Sequence, residues 1–397
     1  MKKRCFTGAV VGFCILLIMG FGSFATAQEF KWPPIFRIAT TGSLSGNFAQ
    51  TNSWGPKFAE AMGVQVRVIP EDNEIRRYVR FAEGKEFELN CIAHAVMVYI
   101  IQGDLGFTEK KAYPLHTVWP TTDTPWGFVV RGDSKYKTIY DLKQKGVRVA
   151  VATGNAPMVK VVKEALPAFL GWTPEEAEKN WIFVPTSSYA ENCRSVTDGK
   201  ADISWASPIS AVAYEMEAHP SKIRWLDVPF KDKDGWKRYL DVRPTTIPAK
   251  LTLGVPSAIG VEAVTSGFLY WARADADQEM IYRITKWFHQ NHEDYKATHA
   301  LNARMGVKYF REYLDYAFFP VAEGTVRYLK EIGQWSAADD KWNNEAIALM
   351  DRWVKARNAA LDEAKAKGVK IHWENKEYLD ILGKHTKDIP VFRLRGN

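Results

Sequence analysis

The chain has 397 residues, 46% hydrophobic and 25% charged, with a formal net charge of +7. These are ordinary globular values, with length enough for two domains that each bury a core. No basic block and no nucleic-acid motif accompanies the charge, which excludes a nucleic-acid partner.

Lys2-Lys3-Arg4 precede an apolar run from Gly8 to Phe21 and then Ala25-Thr26-Ala27. This is the charged head, apolar stretch and small-residue end of a secretory leader, with cleavage expected before Gln28 and the periplasm as destination. The leader carries three of the basic residues and no acidic one, so the net charge falls to +4 without it. It also carries Cys5 and Cys14, leaving Cys91 and Cys193 either free or paired. No later segment offers about eighteen apolar residues without a charge, so a soluble mature protein is expected.

Phe36–Thr40 reads as a strand, Thr41–Asn47 as its loop, and the stretch to Met62 as a helix. Val64–Ile69 is a second strand. Asp72-Asn73 caps a helix bearing Ile75, Val79 and Ala82 on one face, and Glu88–His94 is a third strand. The rhythm then repeats. Val147–Ala152 is a strand ending in Thr153-Gly154-Asn155; Met158, Val161, Val162, Ala165, Leu166 and Phe169 follow at helical spacing. Trp181–Val184 is the next strand, Ser188–Glu191 a capping box opening a helix, and Ala201–Trp205 a strand. Two βαβαβ units built alike imply two parallel-type sheets flanked by helices, with loops gathered at the strand C-termini. Trp126–Gly132 leads from one unit to the other, and Gly267–Ala274 leads back into a helix over 278–289. Two antiparallel crossings between α/β lobes suit a hinged clamshell. Beyond about Asp275 the chain reads as mostly helical, with Ile347, Met350, Val354 and Leu361 along one side of a helix over 345–367.

A resemblance supports this reading. Ile38–Ser43, Gly84–Val96, Asp141–Ala150, Asp198–Asp202 with Ala206-Ser207-Pro208, Ile247-Pro248-Ala249 and Gly324–Gly333 occur in the order and spacing of solute-binding proteins of TRAP transporters, TAXI group. The resemblance covers roughly 35–333. It implies a type II-like periplasmic-binding-protein clamshell: lobe 1 from 28–130 and 255–333, lobe 2 from 131–254, and a helical C-terminal extension over 334–397. The implied function is capture of a small organic ligand, such as a dicarboxylate, 2-oxo acid or glutamate, for delivery to the membrane permease subunits of an ion-gradient-driven TRAP transporter. An ABC-importer receptor for an aromatic or sulfonate-like compound is the alternative. The sequence departs from the family pattern in Thr41–Gly46 and Thr153–Ala156, the loops expected to touch ligand.

In a clamshell the ligand sits between lobes at the strand C-termini. That nominates Thr41, Ser43, Asn47, Asn73, His94, Trp126, Thr153, Gly154, Asn155, Trp205 and Ser207. Helix capping alone accounts equally well for Thr153, Asn155 and Asn73; His94 reads as a cleft residue or an interior one; the two tryptophans stack on a ligand or fill the hinge. Arg76, Arg77 and Arg148 are the arginines nearest the cleft loops, and solvated or sheet-edge charge is the better reading of each. Catalytic and metal residues are expected to be none, and no cofactor is implied. Gly42-Ser43-Leu44-Ser45-Gly46 has leucine where a nucleophile elbow needs serine, no phosphate-binding loop or His-Glu-x-x-His occurs, His289 and His292 lack a carboxylate pattern, and Cys91 has no evident base.

Overall fold

The order of the strands makes the repeat visible. In the computed structural model, which describes Met1 and residues 30–395, β1 (Ile35–Thr40), β2 (Gln65–Pro70) and β3 (Leu89–Ala93) are parallel, with β1 central. After the long β4 (Leu115–Arg131), β5 (Arg148–Ala152), β6 (Ile182–Thr186) and β7 (Ile203–Ala206) repeat that order, with β5 central. The remaining strands are β8 (Ile223–Leu226), β9 (Ile247–Lys250) and β10 (Glu262–Arg273). The leader and its cleavage point lie outside the described residues.

The two crossings join the units through hydrogen bonds. β10 runs antiparallel to β3 through Phe268–Trp271 and to β4 from Val264 to Arg273. β4 changes partner at its middle: up to Trp126 it faces β10, and from Gly127 it faces β7 and β8. The full order is β2-β1-β3-β10-β4-β7-β5-β6, with β8 beside β4 and β9 beside β10. The two-lobed α/β class expected from the sequence is thus the fold observed, as one mixed sheet rather than two separate parallel ones.

Local chemistry starts the helices. Ser45 caps α1 (Gly46–Met62), accepting from Phe48 N–H at 3.2 Å, and Asn73 caps α2 (Glu74–Ala82), accepting from Arg76 N–H at 2.9 Å. The third strand ends one residue earlier than its apolar run suggests: His94 opens α3 (His94–Gln102), whose first eight residues are all buried. Helix α4 (Ala156–Lys160), capped by Asn155, continues through a π turn at Val161–Ala165 ahead of Pro167. The helical-period residues Met158 to Phe169 are all buried, as their spacing predicts. Further on are α5 (Tyr189–Thr197), α6 (Lys233–Val242) and α7 (Gln278–Gln290).

The predicted helix near the C-terminus begins earlier than its apolar spacing indicates, since Ser336 and Asp339 form a capping box. It runs as α8 (Ala337–Ala366), followed by α9 (Lys376–Thr386). Cys91 and Cys193 are both buried and free, which excludes a pairing between them. Among the described residues no helix is long and apolar enough to cross a membrane, and no group of three or more His, Cys, Asp or Glu side chains could hold a metal ion.

Candidate functional site

Strand C-termini from both units converge on one cavity, which with its mouth encloses about 940 Å³. Its floor is made by β4 and β10 near the point where β4 changes partner, at Thr124, Trp126 and Ser266. One side is the loop after β1 with Glu74 and the start of α3. The other is Asn155, Met158, Tyr189, Trp205 and Ser207.

Six of the expected residues meet here: Thr41, Asn47, Trp126, Asn155, Trp205 and Ser207. Thr41 and Ser45 donate hydroxyl hydrogen bonds to Asn47 Oδ1, at 2.5 and 2.7 Å, which fixes the first loop. Trp126 and Trp205 stack at 5.9 Å between centroids and 12° between planes, and Tyr189 meets Trp126 edge-on. Tyr189 Oη accepts from Ser207 N–H at 2.9 Å, while Ser207 Oγ has no partner among the described residues.

The other five stand apart from the cavity wall. Ser43 is exposed on the outside of its loop, and Ser45 and Gly46 take the lining positions. Asn73 is an exposed helix cap. Thr153 donates to the Thr186 carbonyl at 3.1 Å, a strand-end contact rather than a ligand-facing one. Gly154 lies near Asn73 and Ser187. His94 is fully buried against Phe318, 3.8 Å between ring centroids, with no hydrogen-bond partner for either nitrogen among the described residues. Burial pushes its pKa down to about 3, so the ring is neutral.

The three arginines nearest the loops in sequence are engaged elsewhere. Arg76 pairs with Glu71 at 2.5 Å and Arg148 with Asp202 at 2.7 Å. Arg77 is buried, donates to the Glu71 carbonyl at 2.5 Å and lies 3.7 Å from Glu74. The cavity's arginine is Arg243, which sequence reasoning did not single out. It follows α6 and precedes Pro244, and a residue before proline is driven out of helical geometry. With φ −132° and ψ 72° the chain turns there, and the side chain enters the cavity. Arg243 is 6% exposed, donates from Nε to Tyr99 Oη at 3.2 Å, and forms no ion pair among the described residues. Pro244 was the one local signal for it. The acidic neighbour is Glu74, whose carboxyl burial drives above the usual carboxylate range against the opposing charges of Arg77 and Arg243.

The two units touch around the cavity. Ala211 N–H donates to the Leu44 carbonyl at 3.1 Å, Arg243 reaches Tyr99, and Lys160 pairs with Asp104 at 3.6 Å. Gly46 is what permits the first contact to be so close: a Cβ there would lie 2.9 Å from the Ile209 carbonyl oxygen. Gly46→Val is therefore expected to push the 207–213 loop away at a cost of about 1–3 kcal/mol. Hydrogen exchange in that loop reports it, and wild-type rates there would contradict the argument.

The profile of the NMT1-like family matches residues 51–333. The chain belongs to that family. The family match takes in Arg243 and the second wall of the cavity and ends before α8. No curated protein matches the chain. Among solved structures, it is similar to a mutant of the arginine-binding protein ArgBP from T. maritima, with 12% identity, a TM-score of 0.41, and coverage of 68% of this chain and 95% of that one. The periplasmic aliphatic sulphonate binding protein SsuA from Escherichia coli gives 14% identity, a TM-score of 0.40, and coverage of 86% and 91%. An ancestral amino acid-binding protein described as a precursor of cyclohexadienyl dehydratase gives 17%, 0.41, 68% and 95%.

Proposed function

We propose that this member of the NMT1-like family is a periplasmic solute receptor, which closes around a small organic carboxylate and delivers it to a TRAP-type, ion-gradient-driven permease. The observation that carries the reading is Arg243. A buried guanidinium without a carboxylate partner is costly, and an anion arriving in the cavity offsets that cost. Its planar fork suits a bidentate carboxylate, and the hydroxyls of Thr124, Thr246 and Ser207, each lacking a partner among the described residues, add donors to the same cavity wall. A dicarboxylate, a 2-oxo acid or glutamate fits this chemistry, with Thr41, Asn47, Asn155, Trp126 and Trp205 as further contacts.

The reading is of a binder rather than a catalyst. Cys91, which has no evident base in the sequence, and His94, read there as a cleft or interior residue, are both fully buried, and burial pushes the Cys91 thiol up to about 12 and His94 down to about 3. Neither is poised for proton transfer near neutrality.

A second reading draws on the stacked Trp126 and Trp205 with Tyr189, a wall that suits a flat aromatic or sulfonate-bearing ligand and an ABC-type importer. Thermal-shift measurements with succinate, 2-oxoglutarate, L-glutamate and an aromatic sulfonate separate the two. At about a hundredfold excess over Kd a true ligand stabilises by about 2.7 kcal/mol. A rise in Tm with at least one carboxylate is expected. A response to the sulfonate alone moves the assignment to the second reading, and no response to any carboxylate overturns the first.

A further inference from the structure

The C-terminal helices lie beyond the family match, yet they supply one of the most deeply buried side chains in the molecule. Arg357, on α8, is fully buried and forms no ion pair among the described residues. Its Nη1 donates to the carbonyls of Ile100 (2.8 Å) and Ile101 (3.5 Å), and its Nη2 to those of Phe107 (2.9 Å), Thr108 (3.3 Å) and Lys110 (2.6 Å). Two of these carbonyls close the last turn of α3, where a helix leaves its acceptors unpaired and its dipole favours a cation. Gly103 makes the approach possible. It ends α3 at φ +80°, and a Cβ there would lie 2.3 Å from Arg357 Nε.

α3 connects this anchor to the cavity. Ala95 and Val96 form part of the wall, and Tyr99 Oη receives the hydrogen bond from Arg243. Asp104, next to Gly103, makes the ion pair with Lys160 of α4. The segment that Arg357 grips therefore carries two of the contacts that cross the cleft. Other groups hold the tail to the body without touching α3: Asn358 brackets the backbone of Ala112, accepting from its N–H at 2.9 Å and donating to its carbonyl at 3.0 Å.

We propose that Arg357 is a positioning residue for the cavity, so that the C-terminal extension sets the end of α3 and, through Tyr99 and Asp104, the closed arrangement around Arg243. The purpose of that arrangement rests on the solute-receptor reading; its test does not.

Hydrogen–deuterium exchange on the full chain, with no ligand added, compares wild type with Arg357→Met, Arg357→Lys and Asn358→Ala. Arg357→Met is expected to speed exchange by about tenfold or more at 99–110 and also across the cleft, at 156–162 and 239–246. Arg357→Lys, which keeps the charge and loses the fork, produces a smaller change in the same segments. Asn358→Ala changes 110–114 and the tail and leaves 239–246 at the wild-type rate. Exchange that rises only in the tail and at 99–110 in Arg357→Met assigns Arg357 to docking alone and overturns the proposal. Should that variant not accumulate folded, wild-type rates at 239–246 in Arg357→Lys overturn it equally. A failed carboxylate panel leaves this result standing, and a failed exchange experiment leaves the panel standing.

Discussion

Arg243→Met is expected to weaken carboxylate binding by about a hundredfold or more while leaving the ligand-free protein at least as stable as wild type. The two halves of that expectation share one cause. In the proposed bound state the guanidinium and a ligand anion are both out of water, and removing one partner of such a pair costs about 2–5 kcal/mol. In the free state the same group is a buried cation held by Tyr99, and its acidic neighbour Glu74, itself driven toward the neutral form by burial, makes no ion pair with it among the described residues, so an apolar side chain of similar length relieves a desolvation cost. A residue that merely supported the fold would lose stability and affinity together. Calorimetric titration with whichever of succinate, 2-oxoglutarate and L-glutamate raises Tm measures the first half, and thermal denaturation without ligand the second. Arg243→Lys should fall between, since an ammonium keeps the charge and loses the bidentate geometry. Unchanged affinity in Arg243→Met would remove the anion from the proposed function.

The largest stability effect is expected at Trp54, in an aromatic cluster. Trp54 is fully buried on α1, its ring centroid 4.9 Å from Phe288, 5.6 Å from Tyr270 and 5.8 Å from Trp287, and its indole N–H donates to Tyr270 Oη at 2.9 Å. These rings tie α1 to β10 and α7. Trp54→Ala should cost about 3–5 kcal/mol through lost burial and the void left behind. That is a large part of a total stability of about 5–15 kcal/mol. Tyr270 keeps its contact with Thr51 at 2.7 Å, so no polar group is stranded. At roughly 2.1 cal/mol/K of unfolding entropy per residue, a chain of this length shifts by roughly 1.3 °C per kcal/mol, so the midpoint should fall by roughly 4–7 °C. Affinity in the folded fraction should be unchanged, because Trp54 does not line the cavity. A fall of under about 2 °C would show that the ring cluster is not what holds α1 to the sheet.

These two residues differ in how far the sequence exposes them. Trp54 sits in a stretch that reads as a helix, and burial of its large ring follows from ordinary packing. Arg243 sits outside every loop that the strand–loop–helix repeat nominates, and lines the cavity because Pro244 turns the chain there. Ser43 and His94 show the reverse error. Both lie on elements that reach the cavity, but Ser43 points away from it and His94 turns into a nest with Phe318, Tyr313 and Tyr316. A strand end locates a loop to within a few residues, and the direction of each side chain depends on what packs behind it.

What the sequence by itself determined is the α/β repeat, the two crossings and the helix caps at Asn73, Asn155 and Ser188; it also nominated Thr41, Asn47, Trp126, Asn155, Trp205 and Ser207, which line the cavity. All of these follow from periodicity and capping over a few neighbouring residues, or from the order of elements along the chain. Tertiary structure alone decided that β4 and β10 merge the units into one sheet, that Arg243 rather than Arg76, Arg77 or Arg148 supplies the cavity's cation, and that Arg357 caps α3 from more than 250 residues away. The reason is physical: a buried charge finds partners through space, and no local pattern in the chain records which carbonyls or ligand will meet it.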